Sequence, residues 1–131
     1  MDKRLRNFIL AVGLVGLPFL SAWAHHSFAI YDFSQRIPFE GVVNSINFKN
    51  PHIEMTLEFT DENGETRIID FVEGAPANML ARIGLRPAML EPGTPVTAIG
   101  SPLRADPEKF FLRSVILEDG QEYDATRNAT R

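Results

Sequence analysis

Three histidines are the residues of this chain with the most scope for chemistry: the adjacent pair His25-His26, and His52 in Asn50-Pro51-His52. Cysteine is absent, which excludes disulfides, thiolate metal sites and a thiol nucleophile. A cut after Ala24 would make His25 a first residue, with two nitrogens to offer one metal ion: its α-amine and its Nδ1, closing a six-membered chelate. A third nitrogen, from His52 or His26, completes a T-shaped set. All-nitrogen donors in tetragonal geometry favour Cu(II), ahead of zinc. The α-amine has an ordinary pKa of about 7.7, so it releases its proton at little cost. A second-position His can instead chelate through amine, deprotonated amide and ring. The third-position copper motif is absent, because Ser27 stands there.

The expectation is a copper site made of His25, His26 and His52, with Glu54 and Glu73 as outlying oxygens. A plainer reading stands beside each. His25-His26 can be a solvated tail, and His52 can bond the turn it begins. Glu54 and Glu58 can be part of a solvated sheet face, and Glu73 can pair with Arg82. Met55 points inward by parity and reads as core rather than as a thioether ligand. Motifs for other chemistry are missing. There is no Gly-x-Ser-x-Gly, no phosphate loop and no catalytic carboxylate pair, and Ser27 beside His26 lacks an orienting partner. A non-enzymatic binding protein is therefore favoured over a copper-dependent redox enzyme, for which so short a chain offers little substrate surface. The competing function is a metal-independent barrel that recognises a protein, peptide or glycan partner through an aromatic side chain: Phe28, Tyr31, Phe33 or Phe48.

The cut itself is legible. Lys3, Arg4 and Arg6 form a basic head, and Phe8 to Leu20 is an apolar run shorter than the ~20 residues that span a bilayer. Ala22-x-Ala24 supplies the small residues signal peptidase accepts. Residues 1–24 are expected to be a cleavable signal peptide, with a retained N-terminal anchor as the competing reading. No Cys follows the cut, so a lipoprotein is excluded. The expected product is a periplasmic or secreted bacterial protein with no stable membrane insertion after cleavage, and the lack of disulfides fits the periplasm. With 13 Lys+Arg against 17 Asp+Glu, the net charge of −4 argues against nucleic acid and anionic membrane as partners.

Placing these residues in space falls to a small set of strands. The chain has 131 residues, room for one modest domain. Ile53, Met55, Leu57 and Phe59 alternate with His52, Glu54, Thr56, Glu58 and Thr60, which is the period of a half-buried strand over 52–60. Asn63-Gly64 predicts a hairpin to a return strand over 65–73, with Ile69 and Phe71 on one face. Residues 38–48 predict an earlier strand whose alternation slips between Val42 and Val43, just after Gly41, as at a bulge. A helix is predicted over 76–83, with Pro76 in its first turn, Met79, Leu80 and Ile83 as its apolar face, and Gly84 as its left-handed stop. Strands over 95–103 and 110–117 come after it, separated by a polar loop, Arg104 to Glu108. Three strands, a helix and two strands make the order of a small five-stranded OB-like barrel, mainly β. An open α+β sheet is the alternative. The expected layout is a 25–37 leader, a barrel over 38–122 and a loose polar tail over 123–131.

Ala24-His25-His26-Ser27-Phe28 after a signal peptide, Gly41-x-Val43 and Asn50-Pro51-His52 together resemble the small secreted bacterial family called domain of unknown function 6152. Glu73-Gly74-x-Pro76, Leu80-x-Arg82-x-Gly84, Leu90-x-Pro92-Gly93 with Val96 and Gly100, and Asp119-Gly120 extend the likeness over nearly the whole mature chain. The resemblance implies a periplasmic protein and supplies no activity, substrate or catalytic residue.

Overall fold

Alternating side chains dictate the first hairpin, and the structure, a computed structural model that describes residues 29–127, follows that alternation. The fold is that of the unit from Tyr31 onward. The expected signal peptide, His25, His26, Phe28 and residues 128–131 lie outside the described residues. Strand β1 is Ile37–Asn47, β2 Glu54–Thr60, β3 Thr66–Gly74, β4 Pro95–Leu103, β5 Asp106–Leu117 and β6 Glu122–Asp124. Between β3 and β4 lie helix α1, Ala77–Arg82, and a 3-10 turn, Pro87–Leu90. The order across the sheet is β3-β2-β1-β4-β5-β6, and a parallel β3–β5 pairing, Phe71 opposite Phe110, closes the first five strands into an OB-like barrel.

Strand β1 serves both halves of that barrel. Its first half, Ile37 to Val42, pairs with β4, and Val42 to Asn47 pairs with β2. The bend between them is the bulge expected from Gly41, but it falls one residue later than the alternation slip, at Asn44, between Val43 and Ser45. Thr56 pins it: Asn44 Nδ2 donates to Thr56 Oγ1 at 3.0 Å, and the Ser45 and Thr56 hydroxyls lie 2.6 Å apart.

Inside the barrel, Ile53, Met55, Leu57 and Phe71 are buried, as their parity requires. Phe39 packs edge-on against Phe110 at 4.9 Å and Phe71 at 6.1 Å between ring centroids. Leu80 of α1, Leu85 and Leu90 enter the same core. Gly84, at φ +97°, stops the helix as expected. Met79 does not share the helix's apolar face: Leu80 is buried in the core and Ala77 and Ile83 pack against it, while Met79 stays exposed.

Two expected boundaries move. The Arg104–Glu108 loop is a tight Arg104-Ala105 turn, because Leu103 already pairs with Asp106 and β5 starts there. The polarity that suggested a loop belongs to strand residues that face solvent: Pro107, Glu108 and Lys109 are all exposed. The barrel unit also runs past 122 into the expected loose tail. Strand β6 pairs with β5 through Asp124, and Asp124 and Ala125 are buried. Asp124 accepts hydrogen bonds from the Thr126 and Arg127 backbone N–H groups and lies 3.4 Å from Arg36. Burial pushes its carboxyl pKa up, but Thr126, Arg127 and Arg36 together outweigh burial and hold it below the usual carboxylate range.

A group whose pKa is lowered on folding stabilises above its unfolded pKa, about 4, and loses that contribution as pH falls through its folded value. Asp124→Asn is therefore expected to cost about 1–2 kcal/mol at neutral pH, a drop of roughly 5–10 °C in Tm. The gap to the wild type should narrow between about pH 5 and pH 3. Thermal melts across that range read both effects, and a gap that stays constant with pH would contradict the assignment.

The described part of the leader packs on the barrel from Tyr31 onward. Tyr31, Phe33 and Phe111 form a second aromatic cluster on the outer side of β5, with ring centroids 5.2–6.0 Å apart. Arg113 covers the Phe33 ring at 5.1 Å and donates to the Phe33 carbonyl. Tyr31 bridges to Leu103, the Asp32 N–H donates to the Pro102 carbonyl at 2.9 Å, and the Ser101 hydroxyl donates to the Gln35 carbonyl at 2.7 Å. Residues 31–36 are thus strapped across β4 and β5.

Candidate functional site

Two segments far apart in sequence lie side by side at one end of β2 and β3. They are Lys49 to Ile53, with a cis Asn50–Pro51 peptide, and Glu73 to Asn78. The Ile53 N–H donates to the Ala75 carbonyl at 3.3 Å and the Ala77 N–H to the Lys49 carbonyl at 3.2 Å. The Asn78 N–H donates to Asn50 Oδ1 at 3.2 Å. Gly74 admits this contact, because a Cβ there would stand 2.8 Å from Ile53 Cγ1. The same zipper places His52 Nδ1 3.1 Å from the Gly74 carbonyl and His52 Nε2 3.3 Å from Glu73 Oε1.

Glu73 owes its position to a register break in β3. Phe71 pairs with Phe110 and Glu73 with Phe111, so Val72 is an extra residue that re-aims Glu73 and Gly74. The second Glu73 oxygen, Oε2, accepts from the Tyr31 hydroxyl at 2.8 Å. Burial, the hydrogen bond to Glu73 and its negative charge all raise the Tyr31 pKa, so the phenol remains a protonated donor. One carboxylate thus joins the leader to His52. Its side chain is 16% exposed and that of His52 41%, so the imidazole edge is open to solutes.

The ring chemistry is set by these partners. A carbonyl only accepts, so His52 Nδ1 carries a hydrogen. That hydrogen bond orients the ring and aims Nε2 at Glu73, the arrangement that orients metal-bound imidazoles. A lone pair on Nε2 facing a carboxylate needs a proton or a cation between them. Among the described residues no three His, Asp or Glu side chains gather, so these residues supply a His–carboxylate pair rather than a complete metal shell.

The other expected site residues separate from this pair. Glu54 binds Lys49 at 3.1 Å and Asn47 at 3.2 Å, and these two partners hold its carboxyl below the usual range. Glu58 is exposed and Met55 is core. Glu73 takes His52 and Tyr31, and among the described residues no ion pair joins it to Arg82. Tyr31, expected as an exposed binding aromatic, is buried at 3% exposure, and Phe33 and Phe48 are half-buried. Its place in the His52 cluster had no signal in the sequence, since nothing in the spacing links position 31 to position 73.

Fold and cluster together define a small OB-like barrel domain with a surface-accessible imidazole held by a backbone carbonyl and by a carboxylate that a phenol braces. The chain belongs to a family of unknown function, DUF6152, whose model matches residues 15–109. The match takes in the Asn-Pro-His and Glu-Gly-x-Pro segments that meet at this cluster. No curated protein and no solved structure matches the chain.

Proposed function

We propose that this is an exported, periplasmic, non-enzymatic binding protein that holds copper through the mature N-terminal His25, His52 and His26. The observation that supports this reading is the shared carboxylate: Glu73 faces Nε2 of an oriented His52 with one oxygen and holds Tyr31 with the other. The chain from His25 to Tyr31 is six residues long, at most about 21 Å when extended. A free α-amine and two or three imidazoles would supply the nitrogen set that Cu(II) prefers.

Melting the mature chain, made by native export so that His25 is first, with and without Cu(II) tests the proposal. Free copper at ~100 times its Kd should add about 2.7 kcal/mol of stability, on the order of 10 °C in Tm. One extra N-terminal residue should abolish the shift. No shift in either form would retire the copper site and leave a metal-independent barrel with a protein, peptide or glycan partner.

A further inference from the structure

We infer that Glu73 is a direct oxygen donor of the metal site and Tyr31 the residue that positions it, so that a divalent d-block ion is held between His52 Nε2 and Glu73 Oε1. This rests on the metal-binding reading of His52 but not on the N-terminal chelate.

Donor spacing carries the inference. First-row ions such as zinc bind imidazole nitrogen at about 2.0–2.1 Å and carboxylate oxygen at about 2.0–2.2 Å. Two such donors stand about 2.9 Å apart across a right angle and about 3.4 Å apart across a tetrahedral one. Nε2 and Oε1 are 3.3 Å apart, inside that range, so their spacing is one that a single ion bridges. Both donors are already braced. The Gly74 carbonyl fixes the imidazole at Nδ1, and the Tyr31 hydroxyl holds the carboxylate by the oxygen that does not face His52. Tyr31 is itself locked by Phe33 and Phe111 and by its bridge to Leu103. The phenol on the far oxygen holds the carboxylate in one orientation, the role that outer partners of metal ligands play in setting ligand orientation and affinity.

The test uses the mature exported chain and Cu(II) as probe, in wild type, Glu73→Gln and Tyr31→Phe, and in wild type with one extra N-terminal residue. Affinity is read by chelator competition, the place of binding by paramagnetic loss of the His52 ring signals, and the donor set by electron paramagnetic resonance. Glu73→Gln is expected to weaken binding roughly 10–100-fold, with its metal-free melt showing that it folds. Glu73→Asp should recover part of the loss. Tyr31→Phe should weaken binding less and move the resonance spectrum toward that of Glu73→Gln, a change that a purely structural role would not produce. Copper that binds at His52 with unchanged affinity and spectrum in Glu73→Gln overturns the inference and spares the copper reading. Binding that needs Glu73 but ignores the extra residue supports the inference and overturns the N-terminal chelate. No binding in any form overturns both.

Discussion

Truncating Phe71 to alanine is expected to lower the unfolding free energy by about 3–5 kcal/mol. The side chain is fully buried and belongs to the ring cluster of Phe39 and Phe110. It also sits at the closure of the barrel, where Phe71 pairs with Met55 on one side and Phe110 on the other. The loss therefore combines transfer of the ring, a cavity between three strands, and weakened packing across the β3–β5 closure. Domains of this kind have about 5–15 kcal/mol in all, so the variant should be marginal at physiological temperature. Denaturant unfolding gives the number directly. A loss under about 1.5 kcal/mol would mean that the core can collapse around the gap, contrary to the packing described.

The second large effect is expected at Gly41. An added Cβ would lie 2.0 Å from the Glu58 carbonyl oxygen, 2.9 Å from its carbon and 3.1 Å from Phe59 Cβ. The first two are backbone atoms of β2, so no side-chain rotation relieves the contact. Gly41→Ala must push β1 and β2 apart where β1 passes from β4 to β2. Overpacking commonly costs 1–3 kcal/mol, and with backbone as the obstacle about 3 kcal/mol or more is expected here. The entropy that alanine removes from the unfolded chain returns only about 0.4–1 kcal/mol. Unfolding midpoints of the variant and wild type decide it, and a change within about 0.5 kcal/mol would show that the strands can separate freely.

Most of the barrel was legible because its strands are half-buried. Ile53, Met55 and Leu57 face the core and Glu54 and Glu58 face solvent, so a period of two appears in the letters. The start of β5 was not, because Pro107, Glu108 and Lys109 are exposed whatever strand they occupy. Strand β6 was hidden in a polar tail, since what seats it is the Asp124 network and its pairing with β5 rather than hydrophobic pattern. The site was legible in halves. His52 and Glu73 each stood out, but their meeting depends on the zipper between two connecting segments, and backbone hydrogen bonds leave no periodicity. Tyr31 was misread because its burial comes from the leader folding onto Phe111, a contact across 80 residues.

The parallel seam between β3 and β5 also decides how this chain can be assembled. Its two sides are separated by the helix, the 3-10 turn and all of β4, and β1 waits for β4 in the same way. No contiguous first half can close on itself. A fragment ending at residue 109, where the family match stops, would hold four complete strands and nothing to join β3 through Phe110, Phe111 and Leu112. Loop-closure entropy must be met before those distant pairings give anything back. Closure of the barrel therefore waits for β5, and in any chain that lacks it the edges of β3 and β4 that β5 covers are open to other chains.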